Sequence, residues 1–166
     1  MRLELLAPTA DDTRSIGAAL APHLRPGDVA ALTGELGAGK TTLVQGIARA
    51  VGYEGPVASP TFTLVREYRT EGLLVLHVDV YRLDRVQDVV DLGLQELLDE
   101  DGILLVEWGD AVEALLPDDH LVVELTLATD ATGDAEARRI SLRGLGERWA
   151  VRWERLEHDL TTWRVP

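Results

Sequence analysis

The sequence predicts an α/β fold, in which helices cover both faces of a mainly parallel central sheet with antiparallel edge strands. Two observations carry this prediction. The short apolar runs Asp28–Thr33 and Ile103–Val106 are typical of fully buried strands. Segments with apolar residues at helical spacing alternate with such runs, and this alternation is typical of the strand–helix–strand units of three-layer domains.

The N-terminal part of the chain predicts two strands, each followed by a helix. The first strand alternates apolar and polar residues, whereas the second is a buried apolar run. In the second helix, Leu43, Ile47 and Val51 recur at i, i+4 and i+8, which places them on one face. The predicted strands are Arg2–Leu6 and Asp28–Thr33, and the predicted helices are about Asp11–Leu24 and Lys40–Val51.

The middle of the chain predicts an antiparallel hairpin and then a helix. Two apolar-rich segments flank the turn signal Glu71-Gly72 and follow a loop that contains glycines and prolines. Gly93 predicts a break inside the helix, because glycine is a poor helix former. The predicted bounds are Gly52–Pro60 for the loop, Phe62–Arg69 and Leu73–Val80 for the hairpin, and Asp84–Glu100 for the helix.

The last third of the chain predicts three strands and two helices. Pro117 ends the first, short helix, and three tryptophans lie on one stripe of the second, which we interpret as core rather than as a docking surface. Without a repeat or a linker, residues 1–166 predict one domain. The predicted elements are strand Ile103–Val106, helix Val112–Leu116, strands His120–Ala128 and Arg138–Arg143 around the loose stretch Thr129–Ala137, and helix Glu147–Trp163 with Trp149, Trp153 and Trp163.

The composition excludes several classes of protein. The chain has no cysteine, so disulfides and thiolate metal sites are excluded. No apolar run approaches about 18 residues and no signal-peptide pattern opens the chain, so we expect a cytoplasmic protein without a membrane span. The net charge of −13 repels a phosphate backbone, and direct, tight nucleic-acid binding is therefore not expected.

The strongest functional signal is the segment from Gly34 to Thr41, which matches the P-loop pattern G-x-x-x-x-G-K-[ST] without a mismatch. Lys40 within this segment is the only lysine of the chain, which otherwise uses arginine for its cations. A lysine ammonium is compact enough to reach phosphates inside a tight loop, whereas a guanidinium fork is broader. Because the segment joins a predicted strand to a predicted helix, it indicates a P-loop nucleotide hydrolase domain.

The P-loop chemistry assigns roles to the residues of this segment. Backbone N–H groups at the start of the helix form a cradle for phosphates, helped by the positive end of the helix. Lys40 is predicted to bridge the β- and γ-phosphates of ATP, the Thr41 hydroxyl to ligate Mg²⁺, and Thr42 to contact the α-phosphate. The predicted nucleotide-binding residues of this segment are Gly37, Ala38, Gly39, Lys40, Thr41 and Thr42.

A P-loop also needs an acid near the metal, and two strand ends supply candidates. Glu107 ends the cleaner central strand and is predicted as the Mg²⁺-side acid, directly or through water. Asp79 would then lie on the γ-phosphate side, where it orients water or acts as base. Which acid is the base stays open. His77 shares the strand face of Asp79 and could support it, although we favour a structural histidine.

Two further segments are candidates for contact with the nucleotide. Ser59-Pro60-Thr61-Phe62 lies where many P-loop proteins keep a switch segment, and its hydroxyls could sense the γ-phosphate through the metal. Trp108 directly follows Glu107 and should lie close to bound nucleotide. A change in Trp108 fluorescence on addition of ATP or ADP is therefore expected.

Other P-loop classes are excluded or disfavoured. The chain contains no asparagine, so the N-K-x-D base-reading motif of GTPases is absent, which favours adenine or weak base selectivity. A small-molecule kinase remains an alternative, but only Arg82 and Arg85 lie close to a candidate acid for the arginine-rich lid of such kinases. A nucleotide-gated binding module without useful hydrolysis is the other alternative.

Several segments, taken as an ordered set, resemble one family, the TsaE ATPases of the bacterial tRNA threonylcarbamoyladenosine pathway. The resemblance runs from about Thr13 to Trp108 and continues more weakly through Arg138. The segments that carry it are Gly34–Thr42 (GELGAGKTT), Ser59–Thr63 (SPTFT), His77–Leu83 (HVDVYRL), Asp91–Leu94 (DLGL) and Leu105–Trp108 (LVEW).

The resemblance implies an activity and partners. Members of the family bind and slowly hydrolyse ATP with Mg²⁺, and they drive the cycle of the TsaB–TsaD complex, which transfers a threonylcarbamoyl group to tRNA. The acidic composition fits a protein that reaches tRNA only through such partners. By this resemblance, Lys40, Thr41 and Thr42 match the phosphate and metal contacts, Glu107 the metal-side acid, Asp79 the acid needed for hydrolysis, Thr61 the switch loop, and Arg138 a basic residue near adenine, with Arg139 as the competing register.

Overall fold

The architecture is that of one mixed sheet with helices on both faces. The computed structural model describes residues 1–83, 86–128 and 136–165. The strands within these ranges are β1 (Arg2–Ala7), β2 (Val29–Thr33), β3 (Val65–Arg69), β4 (Leu74–Asp79), β5 (Ile103–Glu107), β6 (Leu121–Leu127) and β7 (Arg138–Gly144). The α-helices there are α1 (Ala10–Leu20), α2 (Lys40–Ala50), α3 (Val86–Asp91), α4 (Leu94–Leu98), α5 (Glu147–Ala150) and α6 (Trp153–Asp159).

The sheet has the strand order β1-β7-β6-β2-β5-β4-β3. Its four central strands, β6, β2, β5 and β4, are parallel, while β3 and β7 run against their neighbours. The predicted mainly parallel sheet with antiparallel strands toward its edges is confirmed. Since β2, β5 and β4 end at the same edge, the residues at their carboxyl ends meet there.

Each face of the sheet has its own apolar core, as the predicted three-layer arrangement requires. Successive residues of β5 alternate between them: Leu105 packs in the core beneath α1 and α2, and Val106 packs in the core beneath α3 and α4. The C-terminal helices pack on the first core, where Trp149 is completely buried and Trp153 nearly so. The interpretation of the tryptophan stripe as core is confirmed.

In the middle of the chain, one predicted strand bound is wrong and one predicted helix break is confirmed. Strand β3 begins at Val65 rather than Phe62, because the N–H of Leu64 donates to the carbonyl of Pro60 at 2.7 Å and closes a turn, with φ of 65° at Leu64. The helical segment predicted over Asp84–Glu100 forms two short helices, α3 and α4, and its last helix ends at Leu98. Its predicted break is confirmed, since Gly93 has φ of 79°. Asp84 and Arg85 lie outside the described residues.

The C-terminal helix predicted over Glu147–Trp163 is also wrong, because it is interrupted between α5 and α6 and ends in a 3₁₀ turn. The side chain of Arg152 causes the interruption. Its Nε donates to the carbonyl of Arg148 at 2.8 Å, so the backbone N–H of Arg152 bonds to Trp149 one residue later. The guanidinium then turns inward to Asp28, with which it forms a buried two-pronged ion pair at 2.6 and 3.0 Å.

The remaining differences are small. Helix α1 gives way to a 3₁₀ turn at Ala21–His23, because Pro22 has no N–H to continue the helix. The helix predicted at Val112–Leu116 is a 3₁₀ segment over Gly109–Leu115. Most of the stretch predicted between β6 and β7, residues 129–135, lies outside the described ranges. Among the described helices, none has the length and apolar content to cross a bilayer.

Candidate functional site

The loop between β2 and α2 has a backbone that only glycine supports well. Gly34 has φ of 132°, and a Cβ there would collide with the carbonyl oxygen of Leu125. Gly39 has φ of 105° and precedes α2, whose first turn has no capping side chain. Since the first N–H groups of a helix lack partners within the helix, this uncapped end is suited to hold an anion.

Lys40 lies at the centre of this loop and is 95% buried, since only 5% of its surface is exposed. Its Nζ donates to the carbonyls of Gly34 at 2.7 Å and Glu35 at 3.0 Å, and lies 4.2 Å from the ring centre of Trp108. Burial lowers the pKa of Lys40, while the more distant acids Glu107, Asp79 and Asp110 oppose this effect. Among the described residues, no carboxylate forms an ion pair with Lys40, so its charge is balanced only by the two carbonyls, the indole ring and the more distant acids.

Thr41 and Glu107, the two predicted metal-side residues, are in direct contact. The Thr41 hydroxyl donates to Oε1 of Glu107 at 2.7 Å, which joins the start of α2 to the end of β5. A hydroxyl that donates its proton keeps its lone pairs for a cation. The pair therefore has the oxygen chemistry that Mg²⁺ prefers, and it lies one residue from Lys40.

Asp79, at the end of β4, is bound to the candidate switch segment. Its Oδ2 accepts from the hydroxyls of Ser59 and Thr61, both at 3.0 Å, and its Oδ1 accepts from the N–H of Tyr81 at 2.9 Å. In the parallel pair β4–β5, Asp79 lies opposite Glu107. The two acids therefore lie side by side, Glu107 on the Thr41 side and Asp79 on the switch-segment side.

Trp108 adopts a left-handed backbone, with φ of 62°, directly after Glu107. This conformation is unfavourable for a non-glycine residue and turns the chain so that the indole covers Lys40. The ring of Tyr81 packs against the indole, with centroids 4.8 Å apart. The indole thus contacts the P-loop lysine, and the placement of Trp108 beside a nucleotide stays a prediction.

Arg138 approaches the phosphate loop from the opposite side. Its Nε donates to the carbonyl of Ala38 at 3.0 Å, and its Nη2 to that of Gly37 at 3.3 Å. Together with Thr42 it lines a cleft of about 160 Å³ beside the loop. Arg139 is exposed on the other face of β7, so the structure favours the Arg138 register.

The sequence analysis did not predict the hydrogen-bond partner of His77 or the presence of Tyr68 near the site. His77 was considered a support for Asp79, but its Nε2 lies 2.8 Å from Oε1 of Glu107. Its Nδ1 lies 2.8 Å from the hydroxyl of Tyr68, a residue that no motif singled out. The partner of His77 could not be read from local spacing, because it lies on the neighbouring strand. The kinase-lid candidate Arg82 stacks on the exposed ring of Phe62, and Arg85 is outside the described residues.

Comparison with known proteins gives one consistent family. Residues 7–140 match the family model described as "Threonylcarbamoyl adenosine biosynthesis protein TsaE". The chain is 42% identical to a tRNA threonylcarbamoyladenosine biosynthesis protein TsaE from Streptomyces coelicolor over 83% of this chain and 94% of the relative. It is 38% identical to the protein of that name from Bacillus subtilis, over 90% of both chains.

A solved structure extends the comparison to the fold. The crystal structure of YdiB from Bacillus subtilis superposes with a TM-score of 0.80 at 33% sequence identity. The superposition covers 95% of each chain. The similarity therefore includes the C-terminal helices, which lie beyond the residues matched by the family model.

Proposed function

This chain belongs to the TsaE family, and from that premise we propose that it is a Mg²⁺-dependent ATPase of tRNA threonylcarbamoyladenosine biosynthesis. The observation that supports the ATPase most strongly is the buried charge of Lys40, which has no carboxylate partner among the described residues. A buried cation without an anionic partner is costly in free energy. A phosphate chain at the loop would supply the missing negative charge.

The residues present fit both the phosphates and the metal ion of Mg-ATP. For the phosphates, the start of α2 is uncapped, and the space where a Cβ of Gly37 would stand is open within 4 Å. For the metal, Thr41 and Glu107 would hold Mg²⁺, the hydroxyl directly and the carboxylate directly or through water. When bound, Mg²⁺ would neutralise charge on the phosphates.

The residues of the site would then have defined roles in binding and hydrolysis. Lys40 would contact the β- and γ-phosphates in place of the loop carbonyls, and Thr42 would contact the α-phosphate. Asp79 accepts a proton from, or orients, the attacking water, and its bonds to Ser59 and Thr61 tie this acid to the switch segment. Arg138 and Thr42 border the cleft that would receive the nucleoside.

The role of the hydrolysis is proposed from the family. The protein would act with homologues of TsaB and TsaD in the cytoplasm and drive their cycle, without touching tRNA tightly itself. The net charge of −13 supports contact with tRNA through partners only. The strongly exposed apolar side chains of Leu36 and Phe62, in the phosphate loop and the switch segment, support a partner surface that depends on the nucleotide.

Two measurements on the purified protein test this proposal. Mg-ATP should bind, change the Trp108 fluorescence and yield inorganic phosphate, and Lys40→Ala should lose all three. Stoichiometric transfer of phosphate to a sugar or nucleoside acceptor would instead identify a small-molecule kinase. Separately, the protein should capture TsaB and TsaD homologues in a nucleotide-dependent way, and no capture with either ATP or ADP would refute the partnership.

The Asp79→Ala variant separates an ATPase from a nucleotide-gated binding module. An ATPase that drives the complex loses its effect on tRNA modification when Asp79 is removed, although nucleotide still binds. A pure binding module keeps full activity in the complex. The readout is modified tRNA formed per molecule of the complex, with equal amounts of wild type and variant.

A further inference from the structure

A buried chain of hydrogen bonds lies behind the Thr41–Glu107 pair. His77 on β4 is completely buried, and Tyr68 on β3 is 1% exposed. The Nε2 of His77 lies 2.8 Å from Oε1 of Glu107, and its Nδ1 lies 2.8 Å from the Tyr68 hydroxyl. Four side chains on α2, β5, β4 and β3 are thereby connected across the α2 face of the sheet.

The direction of these hydrogen bonds follows from the groups at the two ends. The Glu107 carboxylate accepts only, so His77 donates to it from Nε2. Burial raises the pKa of Tyr68 to about 12, so the phenol keeps its proton at neutral pH. The hydroxyl lies closer to Nδ1 than to the carbonyl of Ala58, at 3.5 Å, and therefore donates to Nδ1. This donation fixes the histidine proton on Nε2.

The result is a carboxylate held by two donors on one oxygen. Oε1 of Glu107 accepts from Thr41 at 2.7 Å and from His77 at 2.8 Å. Within the described part of the chain, every hydrogen bond of this side chain falls on Oε1. Oε2 is left for another group, and the Thr41 lone pairs point away from the proton given to Glu107. Both oxygens on the metal side are therefore oriented before any cation arrives.

We propose that His77 and Tyr68 are positioning residues that set the Mg²⁺-dependent part of nucleotide affinity by fixing Glu107. The inference rests on the proposed function, because it concerns the same nucleotide site. Among the described residues, neither side chain forms a hydrogen bond with the P-loop. A leucine or phenylalanine would fill the same core volume without burying two ring nitrogens and a hydroxyl, so packing alone gives no reason for these residue types.

The test is nucleotide affinity with Mg²⁺ and with EDTA, measured by calorimetry on the full chain. The expected result for His77→Leu is a loss of about tenfold in affinity with Mg²⁺ and no change with EDTA, the range seen when an outer hydrogen bond to a metal ligand is removed. His77→Gln, whose amide can still donate to Oε1, should recover most of the affinity. A merely structural histidine would lower both affinities together and would not be rescued in this selective way.

His23 provides a matched control. It is also buried, and its Nε2 lies 2.9 Å from a carboxylate oxygen of Asp159, near the opposite end of β2. His23→Leu should leave the ratio of the Mg²⁺ and EDTA affinities at its wild-type value. If it lowers that ratio as much as His77→Leu does, the inference is wrong.

Tyr68→Phe keeps the test decisive if His77→Leu does not fold. It removes one hydroxyl and should lower the affinity with Mg²⁺ about threefold while leaving the affinity with EDTA unchanged. The inference is wrong if His77→Leu and Tyr68→Phe both bind nucleotide with wild-type affinity. If His77→Leu does not fold, wild-type affinity of Tyr68→Phe alone has the same meaning. Either result leaves the proposed function intact. A wild-type protein that binds no nucleotide, or binds it equally with EDTA, contradicts both.

Discussion

Strand β2 has a buried cation near each end, and the two cations have different surroundings. Before the strand, Arg152 forms two short bonds with Asp28, donates to the carbonyl of His23 at 2.6 Å and lies over the ring of Trp149. After the strand, Lys40 has two carbonyls and an indole ring as neighbours but no ion pair among the described residues. Within the described part of the chain, one cation forms an ion pair with a carboxylate and the other does not.

This difference separates a structural charge from a functional one. A guanidinium matches a carboxylate with two parallel bonds, so the Arg152–Asp28 pair can hold the C-terminal helices against the start of β2. Burial lowers the pKa of Lys40, and the carboxylates of Glu107, Asp79 and Asp110, none of which forms an ion pair with it among the described residues, offset this effect only in part. A single ammonium with weak partners can move to a ligand. Removal of Arg152 should therefore lower the stability of the fold, whereas removal of Lys40 should lower nucleotide affinity.

The largest expected effect is the loss of stability when Arg152 is replaced. Arg152→Met leaves Asp28 buried with weaker partners, and the free energy of unfolding should fall by about 3–5 kcal/mol in denaturant titrations. Nucleotide affinity of the folded protein should not change. Arg155→Met is the control, since Arg155 is exposed on the adjoining helix α6 and its loss should cost less than about 0.5 kcal/mol.

Lys40→Met is expected to lower the nucleotide affinity and to leave the stability of the fold unchanged or higher. Charge-assisted bonds contribute about 1.5–3 kcal/mol, so the affinity for Mg-ATP should fall by up to about 100-fold in calorimetry. The midpoint of thermal unfolding should stay the same or rise, because an unpaired buried charge is removed. A fall in stability comparable to that of Arg152→Met would show that the two cations have the same role.

Thr41→Val tests the metal side of the site at nearly constant volume. The variant removes the hydroxyl that joins Thr41 to Glu107. We expect about a tenfold loss of nucleotide affinity with Mg²⁺ and little change with EDTA. An equal loss in both conditions would place Thr41 on the phosphates rather than on the metal.

The smallest expected effect concerns the cleft beside the loop. Arg138→Ala removes the bonds to the carbonyls of Gly37 and Ala38 and should weaken ATP binding about fivefold, which corresponds to about 1 kcal/mol. Arg139→Ala changes the next residue, on the opposite face of β7, and should leave binding unaltered. If the two variants exchange these results, the register of β7 at the site is wrong.

Local patterns made the phosphate side predictable. The P-loop residues, the two acids and their order along the chain follow from motifs that lie within one strand–loop–helix unit or at strand ends. The sheet with helices on both faces follows from alternation of apolar segments. In the structure, Lys40, Thr41 and Glu107 indeed lie together, and Asp79 lies beside Glu107 with Thr61 bound to it.

Contacts between distant segments were not predictable in the same way. At the break in the C-terminal helix, the side chain of Arg152 bonds to Asp28, which is 124 residues away along the chain. The choice of Glu107 over Asp79 as the partner of His77 depends on β5 lying next to β4. The late start of β3 results from the left-handed conformation of Leu64, which no residue preference indicates. Spacing along one element carries no information about any of these.

Reconstituted tRNA modification tests the central claim most directly. The assay contains TsaB and TsaD homologues, tRNA, a threonylcarbamoyl donor and ATP, with either wild-type protein or Lys40→Met, which is expected to remain folded. We predict many modified tRNAs per complex with wild type and no more than about one with Lys40→Met, since we propose that Lys40, which has no ion pair among the described residues, serves ATP. Equal multiple turnover with both proteins would contradict this account.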